Sequence, residues 1–529
     1  MTVRSRSRAR AIFLVAGALS LVAAACGGDD DDDTAGTTAT TAPPASASPT
    51  TAGTETTTAD TGAPATSAAT GSTEPGGSGG SAGCPEIDDS IDADEGNGAG
   101  RFISDLTCAA ASPLKAEGDP IVIGFQNLEG DPNGSFPEFS LTAQAAVDYI
   151  NNELGGLGAD IQNGVPGRPI QLEVCKSVVS PDDSQRCANE LLTDDPFMVF
   201  SSINFFGNQF PIYAAANMPV VVITPITVGD FTSPGVYSIG AGGGCLGVHT
   251  GLVEFVTTDL KATRVAVPWA DTPPGVVCYY DLENKPLEVL KGATPGDSER
   301  AGSLPDLEHM GVAIKPATPD VTPQVTQVLD FDPDAIMFSA QGADCWNLVD
   351  GLGRLGWTPD QIPLVLSGAC IDFAAMRDAG DLAKGIYFVG ASGAVLNDPS
   401  TITNARDKFE AENYQTKPVE YGLAQDELTK GFATQSWSAL LSLWELSSNI
   451  VVGGGELTQE AISAAYAETD NQHLFGSTPM SCSTAPAPYV AVCNSEVSAT
   501  QWNGSELEPV RERFSGIGLV AGTELKPGP

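Results

Sequence analysis

The sequence predicts an α/β protein with two doubly wound lobes that follow a long segment without a fold of its own. From residue 121 onward, short apolar runs typical of buried parallel strands alternate with segments of helical periodicity. The same alternation begins again after Gly240, and the two series have similar lengths. Before residue 84 neither pattern occurs, because residues 34–83 are almost wholly Thr, Ala, Ser, Gly and Pro.

In chain order, residues 1–25 predict a lipoprotein signal peptide. Four arginines precede an apolar run at residues 11–22, and three alanines lead directly to Cys26. The run is shorter than the roughly 20 residues that a membrane-spanning helix needs. An ordinary secretory signal and a transmembrane anchor are the alternatives. Lipid on Cys26 would hold the protein at the outer face of the cell membrane, so we expect an extracytoplasmic, lipid-anchored protein.

Residues 26–83 predict a lipidated, disordered tether, because their composition offers no apolar periodicity from which a core could form. Residues 84–118 carry two cysteines and precede the first predicted strand. We expect them to form an N-terminal extension, for which the sequence indicates no function.

The composition excludes several classes of function. The 67 acidic and 25 basic residues give a net charge of −42, which argues against binding nucleic acid or an anionic lipid surface. His249, His309 and His473 lie far apart in sequence and no metal-binding motif occurs, so we expect neither a metal nor a cofactor. After residue 83 the sequence has no Gly-x-Ser-x-Gly nucleophile elbow, and we expect no catalytic residue and no enzyme.

The cysteines predict a disulfide-bonded protein. Eleven cysteines without Cys26 leave ten, an even number that suits up to five disulfides in an exported chain. The sequence does not fix their connectivity. We expect neighbours in sequence to pair, namely Cys84 with Cys108, Cys175 with Cys187, Cys245 with Cys278, Cys345 with Cys370, and Cys482 with Cys493.

The first lobe begins with a predicted strand at residues 121–125. A helix follows, because apolar residues recur at helical spacing from Ala143 to Leu154 and two glycines come directly after. Ser180, Pro181 and two aspartates then form a helix start. The further elements predicted by the same patterns are strands at 170–174, 197–201 and 219–224, and helices at about 180–193 and 208–217.

The second lobe repeats the alternation. A last long helix at about 428–448 places Trp437 and Trp444 on one face, a spacing more typical of a core than of a ligand site. The predicted strands of this lobe are 263–268, 335–339, 363–366 and 386–389, and its helices are about 245–260, 276–291, 343–355 and 373–378.

Several segments together resemble the type I periplasmic binding proteins, in particular the leucine/isoleucine/valine-binding proteins and related amino-acid and amide receptors of ABC importers. "IVIGFQNLEG", "AVDYINNELGG", "GRPIQLEVCKS" and "SPDDSQRCANELL" are similar to the family's opening strands and helices. Further on, "ANMPVVVITPITVGD", "DFDPDAIMFSAQGADC" and "GFATQSWSALLSLWEL" are similar to its later segments. The match spans about residues 119–514, and the order of the segments makes it more specific than any one of them.

The resemblance implies two lobes joined by three crossovers, with the ligand in the cleft between them. Applied to this chain, it implies four divisions after the extension. These are lobe 1 at 119–241, lobe 2 at 242–390, a return to lobe 1 at 391–470, and a return to lobe 2 with the C-terminal tail at 471–529.

Ligand contacts are expected beyond the carboxyl ends of the strands, where ligands bind in open α/β sheets. By the family's pattern, Ser202 and Thr227 bind the α-carboxylate of an amino acid. The position of the family's ammonium-binding glutamate falls nearest Cys370, and Asp372 follows two residues later. The expected ligand-binding residues are Asn127, Glu129, Ser202, Asn204, Thr224, Thr227, Trp269, Asp271, Gln341, Asp344 and Asp372.

We therefore expect a solute-binding lipoprotein of an ABC importer. It would capture a small polar ligand, an amino acid of the branched-chain or amide type, by hinge closure and present it to the ABC permease subunits. The alternatives are a ligand-sensing receptor for a separate signalling partner and a structural envelope protein with a degenerate cleft.

Overall fold

The structure is a computed structural model that describes residues 84–240, 244–391, 393–430, 432–523 and 525. The predicted signal peptide, the lipidation of Cys26 and the predicted tether lie outside these residues. None of the helices described is both long and apolar enough to cross a membrane.

Lobe 1 contains a five-stranded sheet made of β1 (Ile121–Leu128), β2 (Ile170–Ser177), β3 (Met198–Ser201), β4 (Val220–Val222) and β5 (Val236–Ser238). The strands are all parallel and lie in the order β2-β1-β3-β4-β5. Every residue of β3 and β4 is buried, which explains their continuous apolar sequence. The carboxyl ends of the five strands therefore meet along one edge.

Lobe 2 contains a seven-stranded sheet made of β6 (Arg264–Ala270), β7 (Glu308–Ile314), β8 (Ala335–Phe338), β9 (Leu364–Ser367), β10 (Tyr387–Gly390), β11 (Val497–Trp502) and β12 (Leu507–Phe514). The order is β12-β11-β10-β9-β8-β6-β7. Strands β6 to β10 are parallel to one another. Strands β11 and β12 form an antiparallel hairpin at one edge, where β11 pairs with β10.

The predicted helices are present with bounds close to those expected, but the sequence analysis missed the helices Thr322–Asp330 and Ala405–Glu420. Among the predicted helices, 276–291 differs most, because a π turn at Tyr280–Asn284 divides it into two α-helices. The α-helices of the described chain are α1 (Asp92–Glu95), α2 (Ala99–Ala111), α3 (Pro137–Asn152), α4 (Pro181–Thr193), α5 (Phe210–Ala215), α6 (Val228–Thr232), α7 (Cys245–Thr258), α8 (Pro273–Tyr279), α9 (Lys285–Lys291), α10 (Thr322–Asp330), α11 (Ala343–Arg354), α12 (Phe373–Ala379), α13 (Ala405–Glu420), α14 (Ala433–Val452) and α15 (Gln459–Ala467).

The predicted fold of two doubly wound α/β lobes is confirmed. The chain leaves lobe 1 after β5, and α7 packs against the strands of lobe 2, where Leu252 and Phe255 join the core around Val265. After β10 the chain returns to lobe 1, where the rings of Trp437 on α14 and Tyr149 on α3 stack with centroids 5.4 Å apart. It crosses a third time to reach β11.

The third crossover lies later in the chain than the expected return at residue 471. Val492 still forms a β-bridge with Ser238 beside the sheet of lobe 1, and the chain joins lobe 2 only when β11 begins at Val497. The segment between them stays with lobe 1 because its side chains are buried there. His473 and Phe475 are 0% and 2% exposed.

The strands that the sequence analysis missed include two at the edges of the lobe 2 sheet. In β7 two of the seven residues are buried, and in β12 two of the eight. An edge strand that is largely exposed has no continuous apolar run, so the pattern that identified the central strands is absent from both.

All ten cysteines of the described chain are paired, and each pair joins neighbours in sequence. The Cα atoms of the paired residues are 3.9–6.1 Å apart. The pairs are Cys84–Cys108, Cys175–Cys187, Cys245–Cys278, Cys345–Cys370 and Cys482–Cys493. Cys370, which stands nearest the family's ammonium-binding position, is therefore a disulfide partner of Cys345.

Candidate functional site

A cavity of about 150 Å³ lies where the carboxyl ends of strands from both sheets meet. Thr224 follows β4 of lobe 1, whereas Ala270, Ser367 and Gly390 end strands β6, β9 and β10 of lobe 2, and all four line the cavity. This position agrees with the rule that open α/β sheets bind ligands beyond the carboxyl ends of their strands.

The wall on the side of lobe 1 is largely aromatic and aliphatic. Phe205 and Phe432 line the cavity together with Ile226. Phe432 is held in place by Phe139, whose ring stacks on it with centroids 5.0 Å apart, and by Phe136, whose ring meets it at 76°. A preformed apolar wall with a few polar groups is the usual composition of a small-molecule site.

Few charges reach the cavity. Among the described residues that line it, His249 and Asp344 carry the only ionisable side chains. Asp344 begins α11, and its Oδ1 accepts a hydrogen bond from the backbone N–H of Ala317 at 2.9 Å. Burial raises the pKa of Asp344, and the hydrogen bond from Ala317 opposes that rise.

Three of the eleven predicted ligand-binding residues line the cavity, namely Thr224, Gln341 and Asp344. The Oγ1 of Thr224 donates to the Oε1 of Gln435 at 2.6 Å. Gln435 also lines the cavity, and its side-chain amide N–H groups make no hydrogen bond to the rest of the described chain. The Thr224–Gln435 pair therefore offers hydrogen-bond donors to a ligand.

Ser202 does not line the cavity, although it was expected to bind a carboxylate. It is fully buried, and its Oγ contacts the Oδ1 of Asn127 at 2.6 Å and the carbonyl oxygen of Gln126 at 3.0 Å. Asn204 is likewise directed inward, since its Nδ2 donates to the Oγ of Ser184 at 2.8 Å. These polar side chains satisfy one another within lobe 1.

Thr227 and Asp372 are helix caps in the structure. The Oγ1 of Thr227 accepts from the backbone N–H of Asp230 at 3.3 Å, and Asp230 in turn accepts from the N–H of Thr227 at 2.6 Å. The Oδ1 of Asp372 accepts from the N–H groups of Ala374 and Ala375 at 2.9 and 3.0 Å. Both side chains therefore make local hydrogen bonds at helix starts, and neither lines the cavity.

The remaining predicted residues also lie outside the cavity wall. Glu129 accepts from the Oγ of Ser140 at 2.7 Å, and the ring of Trp269 stacks on Tyr279 with centroids 5.0 Å apart and planes 2° apart. Asp271 is exposed. Asn127 donates through Nδ2 to the carbonyl oxygen of Phe136 at 2.9 Å.

The sequence analysis missed His249, Gln435 and the two cavity-lining phenylalanines. Gln435 lies 211 residues from Thr224, the residue that it contacts. His249 follows Cys245 by one helical turn, and its imidazole lies within 4.8 Å of both sulfur atoms of the Cys245–Cys278 disulfide. Because both thiols are used in that disulfide, the three side chains do not form a metal site in this oxidised state.

Comparisons with known proteins agree with this geometry. Residues 120–279 match the model of a family described as periplasmic binding protein. The structure is similar to a branched-chain amino acid ABC transporter protein from Thermus thermophilus with bound valine, with a TM-score of 0.59 and 12% identity over 77% of this chain and 98% of that one. No curated protein matches the sequence.

Two further solved structures have the same fold. One is the branched-chain amino acid substrate-binding protein from Streptococcus pneumoniae in complex with isoleucine, with a TM-score of 0.52 and 14% identity over 75% of this chain and 100% of that one. The other is a solute-binding protein of an ABC transporter from Rhodopseudomonas palustris in complex with p-hydroxybenzoic acid, with a TM-score of 0.55 and 15% identity over 75% and 98%. At these identities the similarity establishes the fold.

Proposed function

We propose, from the type I periplasmic binding protein fold that this chain adopts, that it is an extracytoplasmic solute-binding lipoprotein of an ABC importer. The observation that carries the proposal is the cavity between the carboxyl ends of the two sheets, lined from both lobes. Its ligand is a small molecule, and an amino acid of the branched-chain or amide type is our first candidate.

Binding would act through closure of the two lobes. Phe432 and Thr224 come from lobe 1, whereas Gln341 and Asp344 come from lobe 2. A ligand that touches both sets stabilises the closed arrangement over the open one by the contacts that exist only on closure. The permease subunits would then recognise the closed, loaded form.

The chemistry of the wall supports a ligand that is mostly apolar and has a few polar groups. The aliphatic and aromatic side chains suit a branched or planar apolar body. Asp344 is the one acidic side chain among the described cavity residues, and its carboxylate suits an ammonium group. Gln341 and Gln435 supply amide groups that orient a polar ligand.

The first experiment is a thermal-shift screen of the purified protein with leucine, isoleucine, valine, asparagine, glutamine and 4-hydroxybenzoate, followed by calorimetry. A ligand present at a hundredfold excess over its Kd stabilises the native state by about 2.7 kcal/mol. Asp344→Asn should weaken an amino-acid ligand by about tenfold or more, since hydrogen bonds to charged groups contribute about 1.5–3 kcal/mol.

The matched control is Asp372→Asn, which changes a helix cap outside the cavity and should leave the affinity unchanged. Equal loss of affinity in the two variants would contradict the assignment of the site to the cavity. A flat screen would contradict the amino-acid assignment and favour a sensor for another ligand or a structural role.

A further inference from the structure

His249 occupies an unusual place in the cavity wall. It lies on the second turn of α7, lines the cavity, and is 8% exposed. Its Nδ1 lies 2.8 Å from the Oε1 of Glu283. The Nε2 atom, on the opposite edge of the ring, makes no hydrogen bond to the described residues, so it is free to contact a ligand.

The partner of His249, Glu283, is a buried acidic side chain. It is 0% exposed and lies in the π turn between α8 and α9. Neither of its oxygens has a well-oriented hydrogen bond in the described chain. A buried carboxylate is costly unless it is paired, and the imidazole at 2.8 Å is the group that pairs it. π turns are frequent at functional sites.

The beginning of α7 contributes positive potential to the same cavity. Gly244 and Cys245 line the same cavity as His249, and the helix that they open is 14 residues long. Gly244 has φ +56°, and a Cβ there would collide with the backbone carbonyl of Pro225, so the close approach of α7 to lobe 1 requires glycine. The N-terminus of a helix favours an anion.

His249 is the one basic side chain among the described residues that line the cavity. The described residues that line the cavity include no lysine and no arginine. The second ionisable group, Asp344, is acidic and suits a hydrogen-bond donor. A carboxylate that enters the cavity therefore has His249 and the first turn of α7 as its electrostatic partners.

We infer that His249, positioned by Glu283 at the N-terminal end of α7, binds the carboxylate of the ligand. This assigns the ligand to a chemical class, namely carboxylic acids with an apolar body, and it rests on the proposed solute-binding function. The contact comes from lobe 2, whereas the expected carboxylate ligands Ser202 and Thr227 belong to lobe 1 and are engaged in internal hydrogen bonds.

The test compares each acid with its neutral amide by calorimetry, using leucine with leucinamide and 4-hydroxybenzoate with 4-hydroxybenzamide. We expect the wild type to prefer the acid by at least tenfold. His249→Gln should reduce that preference to near unity by weakening the acid alone. Glu283→Gln should reduce it in part, because Glu283 acts through the imidazole and does not touch the ligand.

His309→Gln is the matched control, because His309 also pairs with a glutamate, Glu288, at 2.6 Å but does not line the cavity. It should leave the preference for the acid unchanged. An acid preference that persists in His249→Gln would overturn the inference while leaving the solute-binding function standing. If none of the four compounds binds the wild type, the proposed function itself fails for this ligand class.

A measurement on the wild type covers the case in which His249→Gln does not fold. The chain has three histidines, so their ring nitrogens give few signals in a spectrum of ¹⁵N-histidine-labelled protein. Addition of the bound acid should shift the Nε2 signal of one histidine, and this signal should remain in the His309→Gln spectrum. Unchanged signals for all three imidazoles at saturating acid would overturn the inference.

Discussion

His473 lies fully buried between two carboxylates at the base of lobe 1. Its Nε2 is 2.8 Å from the Oε1 of Glu410, and its Nδ1 is 3.1 Å from the Oε2 of Glu445. Burial disfavours the charged imidazole, but the two carboxylates outweigh that effect and raise the pKa of His473 to about 9. At neutral pH the residue is therefore a buried cation that neutralises part of a buried acidic pair.

We predict that His473 makes stability depend on pH on the alkaline side. Because its pKa is raised on folding, its contribution is complete below the unfolded pKa of about 6.5 and is lost as pH rises through about 9. Urea unfolding should therefore give a free energy of unfolding that falls between these two values.

His473→Gln should lower the free energy of unfolding at pH 7 by about 3–5 kcal/mol, because it removes the cation that pairs with Glu445 and leaves Glu410 with Arg406 alone. The variant should also lose the alkaline fall of the wild type. Parallel pH profiles for the two proteins would contradict this assignment.

At the scale of the element, the N-terminal extension is part of the core of lobe 1. Phe102 on α2 is 1% exposed, and its ring lies 4.6 Å from that of His473 and 6.1 Å from those of Trp444 and Phe475. Asn97 forms a β-bridge with Gln472. The extension thus contacts residues that lie more than 300 positions later in the chain.

We predict that Phe102→Ala destabilises the protein by about 3–5 kcal/mol, the usual cost of removing a buried aromatic side chain. Phe102 does not line the cavity, so the affinity for ligand should stay within about twofold of the wild type. Chemical unfolding and calorimetry measure the two quantities.

Leu141→Ala serves as the control, because Leu141 is 49% exposed and its removal should change stability by no more than about 0.5 kcal/mol. A Phe102→Ala variant as stable as this control would mean that the extension is not part of the folding unit.

At the scale of the whole molecule, we expect the two lobes to be held at the outer face of the cell membrane by the predicted tether. A flexible chain as long as residues 26–83 has a root-mean-square reach of ~40 Å. A net charge of −42 is expected to disfavour contact with anionic lipid. On this proposal, attachment would depend on lipid at Cys26, since two acyl chains are enough for stable anchoring.

We predict that the wild-type protein, expressed in a bacterium supplied with labelled fatty acid, carries the label and partitions with detergent. Cys26→Ser should abolish the labelling. Cys84→Ser, the next cysteine along the chain, should retain it. An unmodified mature N-terminus in the wild type, measured by mass spectrometry, would rule out the lipid anchor.

Local sequence patterns determined most of the fold. The strands β1, β3, β4, β6 and β8 were predictable because strands buried on both faces must be continuously apolar. The helix α4 was predictable from Pro181 and the following aspartates, which lie in its first turn, although the side chain of Ser180 makes no capping hydrogen bond. These features depend only on residues that are neighbours in the chain, so they can be predicted from the sequence alone.

The candidate site was predictable in location but only partly in its residues. The sequence places polar side chains after the strands, and topology brings those loops to one cleft. It does not fix the direction of each side chain. Of the residues expected at the ligand, Thr224, Gln341 and Asp344 reach the cavity, whereas Ser202 and Thr227 do not.

By itself, the sequence determined the alternation of strands and helices, the two lobes and the pairing of cysteines that are neighbours in sequence, since these follow from local periodicity and spacing. Only the tertiary structure decided that Thr227 caps α6, that Gln435 meets Thr224, and that Glu283 holds His249 in the cavity wall. Such contacts join residues from separate elements, and their formation depends on how those elements pack in three dimensions.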